Sequence, residues 1–392
     1  MDKHRVVLVP ISTYEQAEVD AAVETGFRLL GGLEQFINAD EKLLIKPNLL
    51  NKALPQRAVT THPAVFEAVA RQLQSFGCTH LSFGDSPGPA STPKQAAAAC
   101  GIGPAADQLG IPWADFTAGQ TVDFPAGKIA HSFFLANGVV DADGIINVCK
   151  MKTHALERIT GAMKNLYGCV LGISKGAGHV AYPDSEVFAD MLCDLHKVCK
   201  PRLHIMDGIV AMEGNGPNSG TPTPMNVLLF SADPVALDAV FASLVHLDPD
   251  TVPTCVSGAK YGLGVKDEAL IDVITPDAVL TLTEAAAQYG NPDFDVFRGQ
   301  MKKSLVGKLV PLLPFLQERP KVNAAKCVAC GICEASCPVP EKAVRSGNGQ
   351  KARYDYKKCI RCFCCQEMCP AKAIDVHRSP IASLVSKLPV KK

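Results

Sequence analysis

GIINVCKMKTH, residues 144–154, starts as a short apolar run and ends in Lys150, Lys152, Thr153 and His154. Such a run reads as a buried strand whose last residues leave the core as polar groups. On either side the pattern repeats. HRVVLVPI (4–11), EKLLIKPNLL (41–50) and THLSFGDSPG (79–88) read as strands, as do the openings of LHIMDGIVAMEGNG (203–216) and MNVLLFSADP (225–234). Helical patterns alternate with them. They are YEQAEVDAAVETGFRLLGGL (14–33), closed by glycine, and HPAVFEAVARQLQSFG (62–77), with Thr61 as the expected cap. SEVFADMLCDLHKVC (185–199) and DPVALDAVFASLVH (233–246) follow, the last with Asp233 as N-cap and Pro234 at the first helical position. Strand alternating with helix predicts an α/β fold, a mostly parallel doubly wound sheet covered on both faces.

In open α/β sheets, ligands bind beyond the carboxyl ends of the strands. Those ends deliver polar groups here: Lys46 and Asn48 after LLIK, Asp85 and Ser86 after LSFG, and Asp207 in LHIMDG. If these strands run parallel to 144–154, the groups emerge at one edge. Lysines and a histidine opposed by two aspartates suit a carboxylate or phosphate, with acid–base capacity from His154. RITGAMKNLYGCVLGISKGAGH (158–179) adds Lys164 and Asn165. It lacks the GxxxxGK[ST] pattern of a phosphate loop, which argues against a nucleoside triphosphatase. The expected catalytic groups are Lys152, His154, Lys164, Asp85 and His62, with His62 equally suited to capping or packing. The expected binding groups are Lys46, Asn48, Ser86, Lys150, Thr153, Asn165 and Asp207. A single lysine after a strand is ordinarily a solvated loop charge, so the convergence carries the argument. MEGNGPNSGTP (212–222) reads as a plain turn, and Cys149 and Cys169 as buried apolar residues.

Nine of the 16 cysteines lie after residue 326. KCVACGICEASCP (326–338) and KCIRCFCCQEMCP (358–370) share the spacing C-x2-C-x2-C-x3-C-P, 32 residues apart. Zinc is served by separated C-x2-C pairs; three thiols at steps of three, followed by a fourth and a proline, suit cubane iron–sulfur clusters. In two-cluster ferredoxins each run's last cysteine ligates the other cluster. That pattern assigns Cys327, Cys330, Cys333 and Cys369 to one 4Fe-4S cluster and Cys359, Cys362, Cys365 and Cys337 to the second. Cys364 is left as a small apolar neighbour.

Lys plus Arg equals Asp plus Glu at 39 each, so no basic field points to nucleic acid. The start MDKHRVVLVPIS lacks a signal-peptide pattern, and no apolar run is long enough to span a bilayer. A reducing cytoplasm is the expected setting. The expected organisation is an α/β domain over 1–300, a linker over 301–322, a two-cluster domain over 323–378 and a basic tail over 379–392.

IKPNLL (45–50), TTHPAVFEAV (60–69), GDSPG (84–88), NVCKMKTH (147–154), TGAMKNLYG (160–168), IMDGIVAMEGNGP (205–217) and SADPVALD (231–238) resemble, in order, the family called domain of unknown function 362. The resemblance implies an α/β domain fused to a ferredoxin-like tail and supplies no substrate. The tail is similar to bacterial two-cluster ferredoxins, with a longer link, residues 338–358, between its runs. The expected function is iron–sulfur electron transfer from a redox partner protein or low-potential donor to a small anionic substrate or cofactor. The alternatives are a non-catalytic electron carrier docked on a partner enzyme and a maturation factor with structural clusters.

Overall fold

The computed structural model describes residues 3–88, 91–172, 174–299 and 317–378. The expected basic tail and residues 301–316 of the expected linker lie outside the described residues.

The large unit is built on β1 (His4–Pro10), β2 (Leu43–Lys46), β3 (Leu81–Phe83), β6 (Gly144–His154), β7 (Arg158–Thr160), β8 (Pro201–Glu213), β9 (Thr221–Ser231), β10 (Ile271–Ile274) and β11 (Val279–Leu280). They form one nine-stranded sheet in the order β11-β10-β1-β9-β8-β6-β2-β3, with β7 paired to β6. A separate hairpin joins β4 (Gly119–Asp123) to β5 (Ser132–Ala136). The strands that deliver the polar groups, β3, β2, β6 and β8, are mutually parallel. β9, between β1 and β8, runs antiparallel to both, so the MNVLLF run crosses the middle of the sheet in the opposite sense.

Both faces of the sheet are apolar. Val7 and Val9 of β1 pack with the helices Gln16–Leu30 and Pro63–Phe76, while Val6 and Leu8 face the helix Pro234–Leu244 on the other side. That two-sided burial explains why these strands read as continuous apolar runs, as parallel sheets between helix layers require. Asp233 caps the helix Pro234–Leu244, accepting from the Val235 and Ala236 amides at 2.8 Å. At the helix Pro63–Phe76 the cap is His62, whose Nδ1 accepts from the Ala64 amide at 3.2 Å, and not Thr61. Thr61 is drawn into the sheet instead: its hydroxyl donates to the Val148 carbonyl at 2.7 Å and accepts from the Asn48 amide at 2.8 Å.

The small unit has two antiparallel pairs, β12 (Arg319–Val322) with β15 (Ile374–His377) and β13 (Val344–Gly347) with β14 (Gln350–Tyr354). Strand β12 therefore places residues 319–322, expected in the linker, inside this unit's own sheet. The long link between the cysteine runs folds into the β13–β14 hairpin.

The turn 212–222 is more than a turn, because it seats the small unit. Asn215 donates to the Ile374 carbonyl at 3.0 Å, and Gln366 donates to the Asn215 side chain at 2.8 Å and to the Gly216 carbonyl at 3.0 Å. Gly88 presses against the same unit, where a Cβ would collide with the Met368 side chain.

Candidate functional site

A cavity of about 550 Å³ lies where the strand-exit edge meets the small unit. Asn48, Asp85, Ser86, Lys152, His154, Lys164 and Asn165 line it from the sheet side. Their placement follows from local chain chemistry. β2 ends at Lys46 before Pro47, and Asn48 leads the following loop. The short helix Ala162–Asn165 carries Lys164 and Asn165; its first amides, Ala162 and Met163, donate to buried Asp238 at 2.7 and 3.2 Å.

Charge in this cavity is mostly positive. Asp85 is already engaged, accepting from Lys46 and the Ser86 amide at 2.9 Å each and from the Leu49 amide at 2.7 Å. Lys46 is fully buried behind it. Gly168 allows this crowding, since a Cβ there would strike Asp85 and Lys46. Lys164 makes no ion pair among the described residues and lies over the Tyr167 ring, 5.0 Å from its centroid. Burial lowers the pKa of Lys152 from its ordinary value to about 7, with nearby Glu367 and Asp85 opposing the shift and Lys164 and Lys150 adding to it.

His154 is held in a defined state. Its Nδ1 accepts from the Leu156 and Glu157 amides at 3.1 Å each, so Nε2 carries the proton and sits 3.0 Å from the Glu367 carboxylate of the small unit. Burial lowers the pKa of His154. Burial also opposes ionisation of Glu367, but His154, Lys164 and His179 facing it hold its carboxyl below the usual range.

Five expected site residues lie outside the lining: Lys46, fully buried behind Asp85, Thr153, and a group of three. Buried Lys150 and Asp207 pack with half-buried His62 and Tyr14, outside the cavity lining. The Lys150–Asp207 ion pair measures 2.7 Å, Tyr14 donates to Asp207 at 2.9 Å, and the His62 ring stacks on Tyr14 at 3.6 Å. Lys150 and Asp207 are 1% and 0% exposed at their side chains, so removing one partner strands the other's charge. Asp207→Ala is expected to destabilise the chain by about 3–5 kcal/mol, read as a loss of denaturant midpoint. Thr153 also turns away from the cavity, donating to the Gly214 carbonyl at 3.1 Å and accepting from the Gly216 amide at 3.2 Å, which fixes the seating loop. Cys149 is fully buried and burial pushes its thiol pKa well up, the state of an inert packing residue.

Sequence reasoning missed Lys175 and His179, both on the helix Ser174–Ala181 and both in the lining. Lys175 donates to the Ser86 and Pro87 carbonyls, and burial lowers its pKa to about 8. His179 is 4% exposed, and its Nδ1 has no hydrogen-bond partner. The local signal for them is the glycine-rich context of residues 172–179, which matches no phosphate loop.

In the small unit Cys327, Cys330, Cys333 and Cys369 line one void, and Cys337, Cys359, Cys362 and Cys365 line another. Each quartet takes three thiols from one run and one from the other. Among the described residues no three His, Cys, Asp or Glu side chains converge tightly enough for a single metal ion; the quartets instead ring enclosed spaces, as a multi-iron cluster needs. Backbone amides of Ala343, Ala352 and Ala373 donate to Cys337, Cys327 and Cys369 at 3.4, 3.5 and 3.3 Å, a contact that tunes cluster thiolates. Cys337 lines its void and the large cavity alike. Cys364 belongs to neither quartet and faces the cavity.

The family model for a domain of unknown function, DUF362, matches residues 43–243. The chain belongs to the DUF362 family. A 4Fe-4S dicluster domain matches residues 319–370, and with the two thiol-lined voids it establishes two 4Fe-4S clusters and iron–sulfur electron transfer. A thylakoid-associated protein of Synechocystis is 37% identical over 259 residues, 66% of this DUF362 chain and 79% of the relative. Among solved structures, lactate racemase apoprotein from Thermoanaerobacterium thermosaccharolyticum aligns over 59% of this chain and 55% of its own, at a TM-score of 0.38 and 12% identity. No helix among the described residues is long and apolar enough to cross a membrane.

Proposed function

We propose that this DUF362 chain is an oxidoreductase that passes electrons from its iron–sulfur unit to a small anionic substrate or cofactor held in the cavity between its two units. One observation carries the reading: a thiol of one cluster quartet, Cys337, and the cationic strand-exit groups border the same space. The other quartet lies outward, with Cys330 exposed and Val328 67% exposed, where a redox partner or low-potential donor can reach it.

When bound, the clusters supply electrons one at a time. The chain's own groups supply the rest. Lys164 and Lys152 neutralise and orient the anion. Lys152, with a pKa near 7, can hold or release a proton at neutral pH. His154 presents its Nε2 proton at the seam between the units, and Pro338 and Met368 of the small unit form an apolar wall of the cavity.

A depressed lysine pKa sets the sign of the pH dependence. Lys152 is charged below about pH 7 and loses its charge as pH rises through that value. Anion affinity should therefore weaken by up to roughly tenfold for each pH unit above 7, with Lys164 keeping a residual affinity. Calorimetric titration across that range checks it, and a rise in affinity with pH would contradict the assignment.

Anaerobic protein reduced with dithionite tests the function. An oxidoreductase discharges to some member of a panel of small anions and cofactors. A carrier, the reading favoured by the exposed quartet alone, discharges only to a protein, and a structural cluster resists cycling.

A further inference from the structure

A buried line of side chains runs from the cavity floor into the sheet. Lys152 donates to Asn48 Oδ1 at 2.9 Å, Asn48 Nδ2 to Asn165 Oδ1 at 2.8 Å, and Asn165 Nδ2 to Asn147 Oδ1 at 2.7 Å. Asn147 Nδ2 then donates to the Ala162 carbonyl and meets His204 Nδ1, both at 2.9 Å. Asn147 and His204 are 0% exposed.

An amide can be turned either way round, but here both ends decide. Below about pH 7 Lys152 is an ammonium, which only donates, so Asn48 must show it its oxygen. A backbone carbonyl only accepts, so Asn147 must show Ala162 its nitrogen. Each amide between them is forced into the same sense, because any reversal sets oxygen against oxygen or nitrogen against nitrogen in a buried place and leaves those groups unsatisfied.

The consequence falls on the cavity. Lys152 in its charged form has three N–H groups and spends two, on Asn48 and on the Val59 carbonyl at 2.6 Å. Asn48 has two amide hydrogens and spends one, on Asn165. The groups left facing the floor are donors. Lys164 adds another; of the two carboxylates of the lining, Asp85 is taken up by Lys46 and two amides, and Glu367 Oε1 lies 3.0 Å from His154 Nε2.

We infer that the one-way chain Asn147–Asn165–Asn48 turns a donor of Asn48, beside those of Lys152 and Lys164, to the cavity floor and makes it a carboxylate site, which prefers a group with oxygen lone pairs to its amide counterpart. This deepens the proposed function by naming the substrate class, a carboxylic acid whose apolar body meets Pro338, Pro217 and Met368. Asn147 touches no ligand and is a positioning residue.

Benzoate and benzamide have the same shape and differ in replacing an oxyanion by an N–H donor. Calorimetry with the full-length, cluster-loaded chain under anaerobic conditions should give benzoate at least about tenfold tighter binding, 1.4 kcal/mol. Asn48→Asp replaces the free donor by an acceptor and keeps a partner for Lys152. It should bring the preference to parity or invert it, with the cluster absorbance unchanged. Should that variant not fold, Asn48→Ser decides, with an expected fall of the preference to about twofold. Asn147→Leu should lower the same ratio without touching the ligand, whereas a merely structural role would weaken both probes equally. A wild-type preference under about threefold, no benzoate binding at all, or an unchanged ratio in the folded Asn48 variant overturns the inference. Binding is read without electron transfer, so a chain that selects benzoate yet never discharges to an anion refutes the redox proposal and leaves this one standing.

Discussion

Replacing Lys152 or His154 by alanine should reduce anion-dependent discharge of the reduced protein by about 10²–10⁴-fold while leaving the cluster absorbance near 400 nm as it was. Both side chains line the cavity, and neither lies in a thiol quartet. Lys152→Ala removes the cation and proton source whose charge is poised near neutrality. His154→Ala removes the donor at the seam with Glu367 and leaves that carboxylate facing Lys164 and His179. Single-turnover re-oxidation after dithionite reduction checks it, with iron content measured on the same sample. Unchanged re-oxidation in both variants would remove the strand-exit edge from the chemistry.

The second large effect concerns how the two cysteine runs share their irons. With the quartets as the structure arranges them, Cys337→Ala should lose the cluster bordering the cavity, about four of the eight irons that two 4Fe-4S cubes hold. The identity of the newly free thiols then separates the two possible pairings. Crossed ligation predicts that Cys359, Cys362 and Cys365 become open to alkylation while Cys327, Cys330 and Cys333 stay protected. Uncrossed ligation predicts the reverse. Cys369→Ala should give the mirror result. Mass spectrometry of alkylated peptides reads both, and because Cys337 also lines the cavity, its variant should lose anion-dependent discharge as well.

Much of this was legible in the chain. The parallel alignment of β2, β3, β6 and β8 follows from strand alternating with helix, and the quartets follow from cysteine spacing together with the crossed ligation of two-cluster ferredoxins. What strand exits cannot show is which face of the strand a side chain takes or which partner already holds it. Lys150 and Lys152 are two residues apart on one strand, yet Lys150 is consumed by Asp207 and Tyr14 while Lys152 reaches the cavity. His62 looked equally suited to capping and catalysis, and its Nδ1 is spent on the helix it caps. The wall supplied by the small unit was hidden for a different reason. Glu367, Met368 and Cys337 become cavity residues only through docking on the 212–222 turn, a contact between distant parts of the chain that no local pattern records. Lys175 and His179 likewise depend on how the helix Ser174–Ala181 folds back over Ser86 and Tyr167.

The shared space between the iron–sulfur unit and the strand-exit edge is open to one direct experiment. Dithionite-reduced, cluster-loaded protein is mixed anaerobically with a panel of small carboxylates and anionic cofactors, and recovery of the oxidised absorbance is followed against time in wild type and Lys152→Ala. The prediction is re-oxidation by at least one carboxylate, saturable in its concentration and lost in the variant. Discharge to protein partners alone, or equal rates in both proteins, would contradict it.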